Sequence, residues 1–396
     1  MLETMALLCA GMVGVGCIEQ QRHLHRLGAI PTRIHVSGTR GKSSVTRLIA
    51  AGLNGCGTRA TGKTTGTLAR MIYPGGEELP IHRPIGPNII EQKRVVQESL
   101  RVHAKALVVE CMALQPFYHW LCEDKLIRAT HGVITNARAD HLDVMGPGER
   151  EVAQTLCGMI PVKGVLFTAE QVHLPIIQEA CQDRGTTCIA VDRHDVAAIH
   201  DADMEGFSYL EHKENVALVL KILDHFHIPR DKAIKALWTT RPDPGAMSEH
   251  HLSFFGREII FVNGFAANDP QSTAMVWDAA LKRNPGSHRR VGIFNLRADR
   301  PTRTLQLARD VDFWMKADRL VLMGDGSYLF AKEAAHRGYN PANMVFADSY
   351  TVEQVFERIV ETCGSRALAV GMGNIGGQGL DLVRYFRNRS LPEDSP

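Results

Sequence analysis

Arg33-Ile34-His35-Val36-Ser37-Gly38-Thr39-Arg40-Gly41-Lys42-Ser43-Ser44 is the stretch from which the fold of this 396-residue chain is read. Residues 33–37 have the β-branched, apolar character of a short strand, and Val45 to Leu53 carries apolar side chains at helical spacing. Between them lies a glycine turn that ends in a lysine and two serines. Glycines let the backbone bend until several N–H groups converge on one phosphate, and the helix N-terminus adds partial positive charge. The lysine bridges β- and γ-oxygens, and the Ser43 hydroxyl reaches a magnesium ion. Gly38, Thr39, Arg40, Gly41, Lys42, Ser43 and Ser44 are therefore the predicted nucleotide-binding residues, because a plain strand-to-helix turn needs no lysine followed by serines. The general phosphate-loop pattern has a glycine five residues before Gly41, where this chain has Val36, so the motif is of a shorter kind.

Outward from this segment, apolar runs alternate with helical-length stretches at Ala106 to Cys111, Gly132 to Asn136 and Gly164 to Thr168. That rhythm predicts a parallel sheet with helices on both faces. The segment Trp238 to Met247 interrupts it with two prolines and a glycine and reads as an interdomain linker. Strands resume at Glu258 to Val262, Arg290 to Leu296, Arg319 to Met323 and Ala367 to Val370. The expected fold class is α/β, with an apolar N-terminal segment (1–30), an ATP-binding domain (31–240) and a second, Rossmann-like α/β domain (241–396).

The length fits about two or three domains, and the apolar content is ordinary for a globular protein. A formal charge of +2 with interspersed signs gives no field for nucleic acid. Nine cysteines without a Cys-x-x-Cys pair, in a chain too long to need staples, read as reduced, buried thiols. Met5 to Ile18 is uncharged and mostly apolar and is followed by Arg22, His23, His25 and Arg26. It is shorter than the roughly 20 residues that span a bilayer. It reads as a short anchor or membrane-lying helix that leaves the body on the cytoplasmic face; the alternative is a buried helix packed on the ATP-binding domain or on another subunit.

Several downstream residues carry chemistry. Glu110 closes an apolar strand, at the sheet edge where α/β proteins hold ligands, and is the candidate metal carboxylate. Another strand end leads into Asn136-Ala137-Arg138-Ala139-Asp140-His141-Leu142-Asp143. Thr61-Gly62-Lys63-Thr64-Thr65-Gly66-Thr67 reads as a substrate-side loop, with Lys63 equally readable as a surface charge. Arg297, Asp299, Arg300 and Arg303 cluster beyond a strand. They form either a solvated charged loop or an anion clamp in which Arg297 and Arg300 grip phosphate or carboxylate.

The short loop Gly38 to Ser44 resembles that of Mur ligases and folylpolyglutamate synthases, and residues 136–143 resemble the Mur-ligase NxxxDHxD motif. The likeness implies that His141 joins Ser43 and Glu110 as a metal ligand, with Asp140 beside it, and that Thr65 or Thr67 supplies a hydroxyl near the γ-phosphate. Glu211 to Leu220 is similar to the helix whose asparagine lies beside adenine, which makes Asn215 a nucleotide-binding candidate. Lys163, in a Pro-Val-Lys-Gly turn, does not take the role of the carbamylated lysine that some Mur ligases carry. Pro244-Gly245-Ala246-Met247 lacks the family's arginine, and Asn263 to Asp269 replaces the ribose-binding acid with Asn263.

Nearer still, TRGKSSVTRL (39–48), TGKTTGTLARMIY (61–73), GPNIIEQK (86–93), VVECMALQP (108–116), ADHLDVMGP (139–147), NGFAAND (263–269), FNLRADRPTRT (294–304) and GMGNIGG (371–377) resemble the catalytic B subunits of poly-γ-glutamate synthases. That resemblance implies an ATP- and Mg2+-dependent ligase that forms γ-amide bonds through an acyl phosphate. Lys42 would be catalytic, and Asp140 or His141 would assist the amine. It further implies glutamate and the growing poly-γ-glutamate chain as substrates and small membrane subunits as partners; self-association stays open. Two rivals remain at this point: a folylpolyglutamate- or Mur-type ligase on another substrate, and a nucleotide-dependent regulatory subunit of a membrane complex.

Overall fold

The computed structural model describes residues 2–390 except 67, 85, 210, 244, 268, 287, 288 and 310–313. Thr67, one of the substrate-side candidates, lies outside the described residues, as do Pro244 and Asn268. The chain divides into two compact units, Met1–Arg241 and Pro242–Pro396.

The first unit is built on an eight-stranded sheet of order β4-β3-β2-β5-β1-β6-β7-β8. Its strands are β1 (Thr32–Ser37), β2 (Ala60–Thr64), β3 (Arg70–Ile72), β4 (Glu78–Pro80), β5 (Ala106–Glu110), β6 (His131–Ile134), β7 (Val165–Thr168) and β8 (Thr187–Ala190). β2, β5, β1, β6, β7 and β8 run parallel, and at one edge β3 pairs antiparallel with both β2 and β4. The predicted strands at 33–37, 106–111, 132–136 and 164–168 are present within two residues at each end. The helix Lys42–Gly55 lays Val45, Leu48, Ile49 and Leu53 against Leu218, Ile222, Leu223 and Leu237, all nearly fully buried. Each such side chain contributes about 1.5–3 kcal/mol by leaving water, so the helix that opens the glycine loop is clamped by its core face.

His131, at the start of β6, packs against Phe226 with ring centroids 4.9 Å apart and pairs its Nδ1 with Thr130 Oγ1 at 2.8 Å. Burial, then the neighbouring His225 and Arg33 charges, pull its pKa down to about 4 from an ordinary 6.5. The folded protein therefore keeps this ring neutral while the unfolded chain protonates it. Its contribution to stability is intact above about pH 6.5 and is lost as pH falls toward 4. Urea unfolding of wild type and His131→Phe at pH 7.5 and pH 5 tests this. The wild type should lose more stability over that interval than the variant, and equal losses would remove the assignment.

The N-terminal segment is one helix, Leu2–Gly28. Residues 3–18 are exposed throughout, so this half does not pack on the ATP-binding domain; the alternative of packing on another subunit is untouched by that. The C-terminal part docks on the first unit: Leu27 is 2% exposed, His23 Nε2 pairs with Leu126 O at 2.8 Å, and Gln20 Nε2 donates to Lys125 O. Among the described residues no helix is long and apolar enough to cross a membrane. All nine cysteines are free thiols, but Cys9 and Cys17 are exposed on this helix, against the expectation of buried ones.

The second unit is a six-stranded sheet of order β13-β12-β11-β14-β10-β9. It comprises β9 (Ser248–Phe254), β10 (Arg257–Asn263), β11 (Arg289–Asn295), β12 (Arg319–Met323), β13 (Met344–Phe346) and β14 (Arg366–Met372). β9 alone is antiparallel. Its core is aromatic, with Phe261 and Phe386 stacked at 3.9 Å. The predicted linker loses only its first residue, because the helix Arg230–Trp238 includes Trp238, while β9 begins at Ser248, just past the linker's predicted end.

Candidate active site

The neighbouring parallel strands β2, β5, β1 and β6 end side by side, and the chain leaves each of them at the sheet edge where α/β folds bind ligands. β1 delivers Gly38 to Ser44, β5 delivers Glu110, β6 delivers Thr135 and Asn136, and β2 delivers Thr65. Residues far apart in sequence are thus neighbours because of strand order alone.

The glycine loop is held from one side by β6. Asn136 O accepts from Thr39 N at 3.0 Å, and Asn136 Oδ1 accepts from Thr39 Oγ1 at 2.7 Å and Arg40 N at 3.0 Å. Thr135 Oγ1 donates to Arg40 O at 2.6 Å. Gly38 has φ 129°, and an added Cβ there would stand 2.0 Å from Thr135 Oγ1. Only glycine allows that approach. Lys42 curls over the loop, its Nζ donating to Gly38 O at 2.7 Å and Thr39 O at 3.2 Å.

Glu110, 2% exposed, faces the loop. Its Oε2 accepts from Ser43 Oγ at 2.9 Å and from the backbone N–H of Thr65 at 2.6 Å. A hydroxyl and a carboxylate side by side are hard oxygen donors. They fit a small divalent ion that keeps most of its remaining positions for water and phosphate oxygen. Among the described residues no three His, Cys, Asp or Glu side chains converge as a metal cluster.

Asp140 and His141 lie beside the loop in a different way from a free acid–base pair. Asp140 Oδ2 accepts from Arg40 Nη1 at 3.0 Å, and His141 Nε2 lies 4.0 Å from Asp140 Oδ1. His141 adopts a left-handed backbone, φ 46°, at the start of the short helix Leu142–Met145. Arg40, predicted to meet phosphate, is thus engaged by the acid of the downstream motif.

Ser44 and Asn215 both turn toward a residue that the sequence reading had used only as a helix boundary. Ser44 Oγ donates to Glu211 Oε2, and Asn215 Nδ2 donates to Glu211 Oε1 at 2.8 Å. Ser44 is therefore occupied beneath the loop, because its partner is a buried carboxylate. Lys63 is not a surface charge. It is fully buried, with Nζ 2.8 Å from Glu91 Oε1, and Arg83 grips both oxygens of Glu91 at 2.7 and 2.6 Å. Burial pulls the Lys63 ammonium below its ordinary range and Glu91 opposes that shift. Lys163 is exposed in a turn before β7, with φ 55°.

In the second unit the Arg297 guanidinium is engaged by Asp299 at 2.8 and 2.6 Å, an ion pair within the loop itself. Arg300 follows in the same turn, its N–H donating to Arg297 O. Asn263 is 1% exposed, and its amide ties Ala246 O to the end of β10, a structural task that suits an amide with both donor and acceptor.

A family model for the poly-gamma-glutamate synthase CapB C-terminal domain matches residues 249–389, and the Mur ligase middle domain matches residues 36–216. The chain is 36% identical over 388 residues to the "PGA synthase CapB" of Bacillus subtilis (strain 168), covering 97% of this chain and 98% of that one. It is also 36% identical over 379 residues to the "Capsule biosynthesis protein CapB" of Bacillus anthracis, covering 95% of this chain and 81% of that one. The chain belongs to the CapB family of Mur-type ligases. Members of that family are ATP-dependent amide ligases, and so is this chain. Its fold is that of E. coli FolC in complex with ADP without folate substrate, with a TM-score of 0.69 at 14% identity over 94% of this chain and 93% of that one. The Mycobacterium tuberculosis folylpolyglutamate synthase complexed with ADP and AMPPCP gives a TM-score of 0.66 at 16% identity, covering 94% and 96%. The Mur-ligase-like α/β fold expected from the glycine loop is therefore present.

Proposed function

We propose that this ligase joins glutamate residues through their side-chain carboxylates, building poly-γ-glutamate. The reading rests on one conjunction. The buried Glu110 carboxylate meets the Ser43 hydroxyl at the mouth of a glycine loop, within a chain similar over nearly its whole length to a protein named PGA synthase CapB. That likeness favours glutamate over folate or a cell-wall precursor, and membership of a ligase family favours a catalyst over a regulatory subunit.

A carboxylate does not acylate an amine in water at a useful rate, because its oxygen leaves poorly and its charge repels the nucleophile. In the proposed reaction a glutamate γ-carboxylate oxygen attacks the γ-phosphorus of ATP, the bond to the β–γ bridging oxygen breaks, and ADP leaves. The neutral α-amine of a second glutamate then attacks the acyl phosphate carbon. A tetrahedral intermediate expels inorganic phosphate, and the amine nitrogen loses its proton to solvent or to the Asp140–His141 pair.

The backbone of Gly38 to Lys42 cradles the phosphates, and Lys42 exchanges its own-loop carbonyls for phosphoryl oxygens. Ser43 and Glu110 would hold magnesium together with His141, and Thr65 lies on the substrate side. Bound there, magnesium would neutralise charge gathering on the transferred group. Arg297 and Arg300 serve the α-carboxylates of glutamate once Asp299 yields.

The N-terminal helix supports a membrane setting. Met5, Leu7, Leu8, Met12, Val13, Val15 and Ile18 are each at least 54% exposed; at 100° per residue all but Val13 fall within an arc of about 160°, and the opposite side carries the small residues Ala6, Ala10, Gly14 and Cys17. A bulky apolar face with no charge opposite it suits lipid or a bundle of membrane helices. We place the catalytic units on the cytoplasmic face, beside small membrane subunits.

The test is ADP formation in membranes carrying the natural partners, with and without glutamate and a short γ-glutamyl primer. Glutamate-dependent ADP with a γ-linked product is the expected result. ADP release indifferent to glutamate, without amide product, would overturn the reading.

A further inference from the structure

Beneath the phosphate loop lies a buried acid that the reaction above does not use. Glu211 is 7% exposed and accepts four hydrogen bonds: from Ser44 Oγ, from Asn215 Nδ2 at 2.8 Å, from Tyr209 OH at 3.1 Å and from the His212 N–H at 2.8 Å. A carboxylate accepts and does not donate. Every side chain around it must therefore turn a donor inward. Burial, followed by the charge of Glu211, pushes the Tyr209 phenol well above its ordinary range, so Tyr209 stays a donor.

For Asn215 the consequence is directional. Its NH2 must face Glu211, which settles an amide orientation that shape alone leaves ambiguous. The Oδ1 atom then lies over the glycine loop, where an added Cβ on Gly41 would stand 2.8 Å from it. Among the described residues no donor reaches Oδ1, and the atom is not sealed from solvent. An unpartnered acceptor beside a phosphate loop, held in place by a buried acid, is a reader of a donor.

We propose that Glu211 is a positioning residue for nucleotide selection, fixing Asn215 so that its Oδ1 accepts a hydrogen bond from the nucleoside. Ionised phosphate oxygens offer acceptors only, so the donor is a sugar hydroxyl or an amine on the base. This rests on the nucleotide-binding part of the function proposed above and is independent of the glutamate part.

Equilibrium binding of ADP, 2′-deoxyADP, 3′-deoxyADP and IDP to the full chain decides it. The wild type should bind ADP about 2–10-fold more tightly than the analogue that lacks the donor being read, the range set by one hydrogen bond. A loss confined to a deoxy nucleotide names the sugar, and one confined to IDP names the base. Glu211→Gln, whose amide can donate as well as accept, should flatten that preference, while Glu211→Asp retains part of it. Asn215→Ala should lose the same preference, which keeps the test open if the Glu211 variant fails to fold. The readout is a ratio between nucleotides, which a purely structural role would leave unchanged. A wild type indifferent among the analogues, or a folded Glu211→Gln with the wild-type ratio, would overturn the proposal. Nucleotide discrimination without γ-linked product would sink only the glutamate reading, and absence of any nucleotide binding would sink both.

Discussion

Lys42→Ala should lower glutamate-dependent ADP formation by at least about 100-fold, the cost of losing one donor aimed at developing transition-state charge. The fold should survive it. Lys42 is half-exposed at the start of the helix Lys42–Gly55, and its aliphatic stem is no part of the core that clamps that helix. Its ammonium rests on Gly38 O and Thr39 O, acceptors in the mouth of the loop. Removing it leaves no buried charge unpaired, so the thermal midpoint should move by only a few degrees, about the shift that 1 kcal/mol produces in a domain of this size. The measurement is initial rate at saturating ATP alongside thermal unfolding. A folded variant that turns over like the wild type would remove the phosphate-loop assignment, and a variant that does not fold would show that the lysine is structural.

The part of this site that was legible in sequence is the part written in local pattern. The glycine loop announces itself because a strand, two glycines, a lysine and a helix must follow one another without interruption. Glu110 is visible because an acid closing an apolar strand has to face the sheet edge. β2 was missed for the opposite reason. Ala60-Thr61-Gly62-Lys63-Thr64 carries no apolar run, yet all five residues are buried. Its polar groups are satisfied from a distance: Thr61 Oγ1 donates to Ser99 Oγ at 2.7 Å and Lys63 meets Glu91. No periodicity can announce partners 38 and 28 residues away.

The same limit hides the distant partners of other polar residues. Arg40 is a nucleotide-binding candidate in the sequence, and its bond to Asp140, 100 residues further on, is not visible there. Glu211 is no more in the sequence than the first residue of the segment Glu211 to Leu220. What gives it weight is its bond to Ser44, 167 residues away, and nothing in the local sequence signals that contact. Burial of a polar side chain is decided by whichever partner the topology supplies, and here the order of β5, β1 and β6 supplies it.

Glu110→Gln is the second substitution with a large expected effect, and it separates charge from shape. The side chains are isosteric, and Glu110 is 2% exposed at the end of β5, in register with Val36 of β1. Two donors converge on its Oε2, the Ser43 hydroxyl at 2.9 Å and the Thr65 N–H at 2.6 Å. A glutamine oxygen can keep both. Turned the other way, its NH2 would oppose two donors at a cost of about 1–3 kcal/mol, so the oxygen-inward rotamer is preferred and the fold is retained. What the amide cannot supply is the negative charge that a divalent ion requires from so sparse a set of protein ligands. Turnover should therefore fall by about 100-fold or more, and the magnesium concentration for half-maximal rate should rise, while ADP binding measured without metal changes little. The nucleotide arm matters because it distinguishes this outcome from collapse of the loop, in which ADP binding would be lost as well. A Gln variant with the wild-type rate and the wild-type magnesium dependence would show that Glu110 only braces Ser43 and Thr65, and the metal would then have to be held elsewhere.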